Sequence, residues 1–128
     1  MLYTQTVEPG TFALLKQLLD MPELASFSLV GGTALSLVYG HRISIDLDLF
    51  SDIKFDQNIV INALRQKFKE GFIYEGEYNH FGIFCFVENV KVDLVPYIHP
   101  LIRPIQVIDG IRMFSLEDIA AMKIQAIL

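Results

Sequence analysis

Two aspartates stand inside an otherwise apolar segment, ISIDLDLF at residues 43–50. Successive side chains of a β-strand point to opposite faces, so Asp46 and Asp48 share one face and their apolar neighbours share the other. The pattern predicts a strand buried on one side, with both carboxylates on the other. Adjacent negative charges raise each other's pKa unless a cation lies between them. Two Mg²⁺ ions about 3.5–4 Å apart would remove this repulsion, whereas a solvent-exposed strand face is the alternative.

A third aspartate lies in a second apolar segment, VKVDLVP at residues 90–96. The same alternation places Lys91 and Asp93 on the face opposite Val92 and Leu94. Asp93 from a neighbouring strand would supply the third carboxylate that a two-metal site needs. On its own, Asp93 is also typical of a surface residue or of a salt-bridge partner.

A glycine pair, Gly31-Gly32, follows the apolar segment at residues 27–30 and precedes Thr33. Glycines at a strand-to-helix turn let backbone N–H groups approach a phosphate, and the helix N-terminus adds a favourable dipole. The pair therefore indicates a phosphate-binding turn, although a glycine pair is also common in turns that bind nothing.

The hydrophobic periodicity and the turn residues predict an α+β (mixed α/β) domain, with a mixed sheet and helices mainly on one face. Asp56 is predicted to cap the third helix, Ser115 and Asp118 to cap the last, and Asp109-Gly110 to form a tight turn. In chain order the predicted elements are a helix from Pro9 to near Pro22, a strand at 27–30, a helix at 33–39, a strand at 43–50, a helix from Asp56 to about Lys69, a hairpin of 72–78 and 81–87 across Asn79-His80, a strand at 90–96, a hairpin of 105–108 and 111–114, and a helix from Ser115 to Leu128.

Composition excludes several classes of protein. The chain of 128 residues fits one domain, and its 52% hydrophobic content is enough for a core. No apolar run reaches the roughly 18 residues of a membrane span. The net charge of −5 gives no overall basic footprint for nucleic acid, and the single cysteine, Cys85, excludes an internal disulfide. A cytoplasmic protein with an inert core thiol is the simplest interpretation.

Together these motifs resemble a known superfamily. Gly32, thirteen intervening residues and then Asp-Leu-Asp resemble the signature of the polymerase-beta-type nucleotidyltransferases. Within that superfamily, VGGTALSLVYGHRISIDLDLF is similar to the AbiEii-type toxin family of type IV toxin–antitoxin and phage-abortive systems. The resemblance continues through KVDLV to FSLEDIAAMKIQAI, and so covers about residues 25 to 128.

The resemblance implies a nucleotidyltransferase core at residues 1–128. Such an enzyme uses two Mg²⁺ ions to move a nucleoside monophosphate from a nucleoside triphosphate to a hydroxyl of RNA, tRNA or protein. The implied metal ligands and catalytic residues are Asp46, Asp48 and Asp93, with Asp93 able to accept the proton of the attacking hydroxyl. The implied nucleotide-binding residues are Gly31, Gly32, Thr33, Arg42, Ser44 and Lys123.

Arg42, Ser44 and Lys123 each have an alternative role. Arg42 is placed to contact phosphate or to pair with Asp46 and orient the loop. Ser44 shares the face of the aspartates and is able to hydrogen-bond a carboxylate. Lys123 lies on the apolar stripe of the last helix, so its head must reach an acid, a ligand or solvent. His41, just after Gly40, is expected at a helix end rather than in catalysis.

Two rival interpretations remain. The last predicted helix reaches Leu128 with no C-cap, so we expect that a C-terminal helical region of the family is missing here. The chain would then be a nucleotide- or metal-binding module with weak or no catalysis. The apolar excess instead fits a protein that pairs with an antitoxin, or a homo-oligomer. Turnover of labelled nucleoside triphosphates and co-purification with an antitoxin separate these readings.

Overall fold

The computed structural model describes residues 2–6, 8–40, 46–75 and 78–127. Within these ranges, the side chains of Thr6, Leu35, Ser36, Tyr39 and residues 123–127 are not described. None of the helices in the described ranges is both long and apolar enough to cross a membrane.

The fold is a mixed sheet of seven strands with four α-helices in the described ranges, which confirms the predicted mixed α/β class. The sheet order is β3-β4-β5-β2-β1-β7-β6. The pairs β2/β5 and β1/β7 are parallel, and all other neighbouring strands are antiparallel. The strands are β1 (Phe27–Val30), β2 (Leu47–Ser51), β3 (Phe72–Ile73), β4 (Ile83–Val87), β5 (Val90–Pro96), β6 (Gln106–Ile108) and β7 (Ile111–Met113), and the helices are α1 (Pro9–Leu19), α2 (Gly31–Tyr39), α3 (Gln57–Phe68) and α4 (Leu116–Ile127).

The central strands are buried on one face and partly open on the other. In β2, β4 and β5 the core-facing residues are fully or almost fully buried, and they alternate with half-buried or exposed residues. Helix α3 contacts β3 and β4 through its apolar side and covers their core face. Alternation thus divides the sheet into a core face and an open face, as the sequence pattern predicts.

The predicted helix starts are confirmed where a cap could be read from the sequence. Pro9 occupies the first turn of α1, and the side chain of Glu8 accepts a hydrogen bond there. Asp56 caps α3 by accepting from the Asn58 N–H at 2.9 Å. Before α4, Ser115 and Asp118 form the predicted capping box.

Two predicted strands are shorter than expected. β2 begins at Leu47 rather than at residue 43, so Asp46 precedes the strand, and residues 43–45 lie outside the described ranges. The predicted strand at 72–78 reduces to the two residues of β3. A turn precedes β4, in which the Gly82 N–H donates to the Asn79 carbonyl and Gly82 has a φ of 153°. The chain therefore enters β4 only at Ile83.

A tight turn that the sequence analysis did not identify joins β4 to β5. Glu88 and Asn89 both have positive φ angles, 50° and 67°, and they connect strands whose last pair is Val87 and Val90. Two consecutive positive φ angles match the right-handed twist of a hairpin. This turn fixes the register of β4 against β5.

Asp118 is predicted to contribute more to stability than any ordinary capping residue. Its buried carboxylate accepts from the Ser115 hydroxyl and from the backbone N–H groups of Ile102 and Arg103, at 2.7–3.0 Å. Burial raises its pKa, but these hydrogen bonds outweigh burial and lower the pKa overall. Asp118→Ala should reduce the free energy of unfolding by about 2–3 kcal/mol in urea titrations near pH 7.

The neighbouring Glu117 provides the matched control for Asp118. Glu117 makes one exposed ion pair with Arg103, at 3.2 Å, so Glu117→Ala should cost at most about 1 kcal/mol. Because the pKa of Asp118 is lowered on folding, its contribution should be lost as the pH falls below the usual carboxyl range. If Asp118→Ala and Glu117→Ala reduced the free energy of unfolding equally, the hydrogen bonds from Asp118 to residues 102–103 would not stabilise that loop.

Candidate active site

Asp48 and Asp93 face each other across two neighbouring parallel strands. They are direct partners in the register of β2 and β5, and both lie on the open face of the sheet. Paired residues of adjacent strands have Cα atoms about 5 Å apart, so the two carboxyl groups are close enough to influence each other's pKa. The structure thus brings together two of the three predicted carboxylates.

Burial and the neighbouring negative charges oppose full ionisation of the two carboxyl groups. The pKa of Asp48 is raised from 3.8 to about 6, first by burial and then by the charges of Asp93 and Asp46. Burial also raises the pKa of Asp93, while the nearby Lys91 lowers it. Asp93 is 19% exposed, and its Oδ2 lies 3.8 Å from the Lys91 Nζ. When Asp48 and Asp93 are both ionised, their repulsion therefore lowers the stability of the fold unless a cation lies between them.

Asp46 lies next to this pair but outside the strand. It immediately precedes β2 and is exposed, and its charge raises the pKa of both Asp48 and Asp93. Its backbone carbonyl accepts a hydrogen bond from the hydroxyl of Thr33, which is buried. Thr33 thus attaches the chain before β2 to the first turn of α2.

Gly31 forms the junction between β1 and α2 and lies against Asp48. β1 ends at Val30, which pairs with Asp48, and Gly31 follows with a φ of 76°. A Cβ atom on Gly31 would collide with the Asp48 carboxylate, and the positive φ disfavours any other residue. The predicted start of α2 at Thr33 was two residues late, but the glycine pair does occupy a strand-to-helix turn. The N-terminus of α2 therefore adjoins the carboxylates.

The chemistry of this site fits a hard cation. Asp93 Oδ1 is a strong acceptor that is buried and has no hydrogen-bond partner among the described residues. Carboxylate oxygens are the ligands that Mg²⁺ prefers. In the described ranges, however, no three acidic, histidine or cysteine side chains are already gathered as a metal cluster. Asp48 and Asp93 form the nucleus of a cation site, and Asp46 stands beside it.

Three predicted site residues cannot be placed by their side chains. Arg42 and Ser44 lie outside the described ranges, as does His41. Lys123 lies within α4, four residues after the buried Ile119, but its side chain is not described. Their predicted contacts with phosphate stay predictions.

Sequence reasoning missed the residues that flank the carboxylates on the other side. Phe84 in β4 is the register partner of Asp93, and Phe86 is the partner of Lys91. The signal was present in IFCFV, where phenylalanines alternate with buried residues, but the partner strand could not be read from the sequence. Cys85, between them, is buried, and burial raises its pKa to about 12, so it is the inert thiol that was predicted.

One cleft of the described residues lies away from the carboxylates. It measures about 490 Å³ and includes Phe55, Gln57, His80 and Pro96 in its lining. Pro96 ends β5 three residues after Asp93, about 10 Å further along the strand. This cleft is therefore separate from Asp48 and Asp93.

Comparisons with known proteins agree with this geometry. Residues 13–128 match the family model described as "Nucleotidyl transferase AbiEii toxin, Type IV TA system". The fold is similar to a crystal structure of a proposed nucleotidyltransferase from H. pylori, with a TM-score of 0.52 and 24% identity over 88% of this chain and 53% of the other. JHP933 from Helicobacter pylori gives the same TM-score, identity and share of this chain, with 52% of its own length covered. The comparison with curated proteins found no match.

The likeness to these solved structures concerns the fold alone, because the identity is 24%. The chain spans about half the length of each of them.

The raised pKa of Asp48 predicts a stability that depends on pH in metal-free protein. Because the folded-state pKa of about 6 exceeds the unfolded value, the contribution is fully present below about pH 4 and is lost as the pH rises through 6. The full shift corresponds to about 3 kcal/mol, which solvent screening at this partly buried site reduces to about 1–2 kcal/mol. Asp48→Asn should therefore stabilise the protein by this amount near pH 7 in a chelator, measured by urea unfolding, and by less near pH 4.

Asp52→Asn, on an exposed aspartate just after β2, is the control and should leave the pH profile unchanged. Added Mg²⁺ should stabilise the wild type and the control but not Asp48→Asn. If the free energy of unfolding changed with pH in the same way in wild type and Asp48→Asn, Asp48 would not be destabilised by Asp93.

Proposed function

Because the chain belongs to the nucleotidyl transferase AbiEii toxin family of type IV toxin–antitoxin systems, we propose that it transfers a nucleoside monophosphate from a nucleoside triphosphate to an acceptor hydroxyl. The observation that carries the proposal is the Asp48–Asp93 pair beside the N-terminus of α2. This arrangement supports the proposal, because acidic groups able to hold a cation would lie next to backbone N–H groups able to hold phosphate.

The glycine turn would hold the triphosphate. The first N–H groups of an α-helix point out of its N-terminus, and the helix dipole makes this end attractive to anions. Gly31 lets the backbone approach the carboxylates without a side chain in the way. The β- and γ-phosphates would then lie at the β1 side of Asp48.

The acidic residues would hold Mg²⁺ and receive a proton. Asp48 and Asp93 would bind the metal, with Asp46 as the third ligand. Bound Mg²⁺ supplies neutralisation of charge on the phosphates and polarises the oxygens that bond to phosphorus. Asp93 would accept the proton of the attacking hydroxyl, since burial and the charge of Asp46 raise its pKa.

In the proposed reaction the acceptor oxygen forms a bond to the α-phosphorus, and the bond from that phosphorus to the bridging oxygen breaks. Pyrophosphate leaves with the electron pair, and the hydroxyl proton goes to Asp93. The attacking and leaving oxygens must lie roughly in line through the phosphorus. Arg42, Ser44 and Lys123 would contact the nucleotide.

The proposal extends to the biological setting of the family. The acceptor would be a hydroxyl of RNA, tRNA or protein, and the activity would be that of a toxin in a toxin–antitoxin or phage-defence system. An antitoxin protein would be its partner. A cytoplasmic location and self-association, both expected from the sequence, stay predictions.

Transfer of α-labelled nucleotide tests the proposal. Asp48→Asn and Asp93→Asn should each reduce the transfer rate by about 100-fold or more, because each removes a ligand to the metal and a charge at the reacting centre. The reaction should stop when Mg²⁺ is chelated and return when it is restored. Labelled product and pyrophosphate should appear in equal amounts.

The exposed Asp52→Asn variant serves again as control and should transfer nucleotide at the wild-type rate. If wild type binds Mg²⁺ and triphosphate but shows no turnover with RNA, tRNA or protein acceptors, the chain is a binding module and the enzymatic proposal is wrong. Wild-type rates in Asp48→Asn would reject the site itself.

A further inference from the structure

Three large apolar side chains form a row on the open face of the sheet. Phe84 is 41% exposed, Phe86 is 48% exposed and Ile73, on the edge strand β3, is 45% exposed. We call Phe84 and Phe86 the aromatic row, and Ile73 extends its apolar surface. Exposed apolar side chains that occur singly need no explanation, but a contiguous group on one face marks a binding surface.

The aromatic row is continuous with the acidic site. Phe84 is the register partner of Asp93, Phe86 is the partner of Lys91, and Ile73 is the partner of Phe86. Neighbouring strands lie about 4.8 Å apart. The Phe84 ring therefore projects from the same face as the Asp93 carboxylate, one strand further from Asp48.

The order of strands separates two sides of the reacting centre. Across the sheet, Gly31 at the end of β1 is followed by Asp48 on β2, Asp93 on β5 and Phe84 on β4. If the triphosphate lies at Gly31, the pyrophosphate leaves towards β1. In-line attack then requires the acceptor hydroxyl to arrive from the opposite side, which is the side of β4.

We propose that the aromatic row is the surface on which the terminal bases of a single-stranded nucleic-acid acceptor stack. The proposal rests on the proposed function, because that function fixes where the acceptor hydroxyl must be. Bases stack on aromatic rings whatever their sequence, whereas a protein acceptor has no such regular supply of flat faces. The acceptor end would lie on Phe84, and the preceding nucleotide on Phe86.

Charge and spacing on the open face agree with this occupant. Phe84 and Phe86 are two residues apart on one strand, about 6.8 Å, so they offer two separate stacking positions. Lys91 lies beside Phe86, and its side chain is 52% exposed. It supplies a positive charge for a backbone phosphate in an otherwise acidic protein.

Binding of a labelled oligonucleotide tests the aromatic row. The probe is a fluorescein-labelled single-stranded oligoribonucleotide of about eight residues with a free 3′ hydroxyl, followed by anisotropy in Mg²⁺. Phe84→Ala and Phe86→Ala should each weaken its binding by about fivefold or more, the size of one lost stacking contact. Binding of the nucleoside triphosphate should not change. Phe84→Tyr, which keeps the ring, should bind the probe like the wild type.

Ile59→Ala is the matched control, because Ile59 is 57% exposed on α3, away from the row. It should alter neither affinity. Thermal unfolding checks that each variant is folded. Phe84→Tyr shows whether an effect of Phe84→Ala comes from the loss of the ring or from a disturbance of β4. Unchanged probe binding in both alanine variants, or loss of triphosphate affinity in place of probe affinity, overturns the proposal. The proposal is also wrong if these variants convert a dimer to a monomer and leave the affinity for the probe unchanged.

The outcome also separates this proposal from the proposed function. If the wild type binds the probe through the aromatic row but transfers no nucleotide, the proposal for the aromatic row holds and the proposed enzymatic function is wrong. If the wild type transfers nucleotide and the alanine variants have the same acceptor KM, the proposed function holds and the proposal for the aromatic row is wrong.

Discussion

The contact between Asp48 and Asp93 is the constraint on which the rest of the site depends. Two carboxyl groups on paired positions of parallel strands are partly buried, burial raises the pKa of both, and one oxygen of Asp93 has no partner in the described structure. A fold has no structural reason to keep such a pair, since apolar residues of similar size would avoid the cost. The arrangement is explained if a cation completes it.

The mixed order of the sheet gives this pair two different sides. On the β1 side, Gly31 and the start of α2 offer backbone donors without a side chain. On the β4 side, Phe84 and Phe86 offer exposed rings. Under the proposed function, four neighbouring strands would provide in turn a site for an anion, a site for a cation and a flat apolar surface. This order follows the sequence of contacts that phosphoryl transfer between two nucleotides requires.

Much of this site could be predicted because alternation is a local property. The two faces of Asp48 and Asp93 follow from apolar residues on either side, and the glycine pair indicates the turn before α2. Register is not local, since it depends on which strands meet. The Glu88-Asn89 turn, which carries no glycine, decides that Phe84 lies opposite Asp93, and it was therefore missed. The N-terminal end of β2, next to Asp46, was predicted too early in the chain, because the strand propensity of residues does not define where strand pairing stops.

The central claim is that a metal binds between Asp48 and Asp93 with the triphosphate on the α2 side. Crystals grown with Mn²⁺ and a non-hydrolysable nucleoside triphosphate test it directly through the anomalous signal of manganese. The account predicts a peak in contact with both carboxylates, and β- and γ-phosphates at the backbone N–H groups that begin α2. A peak elsewhere, or a triphosphate lying over Phe84 and Phe86, would contradict the account.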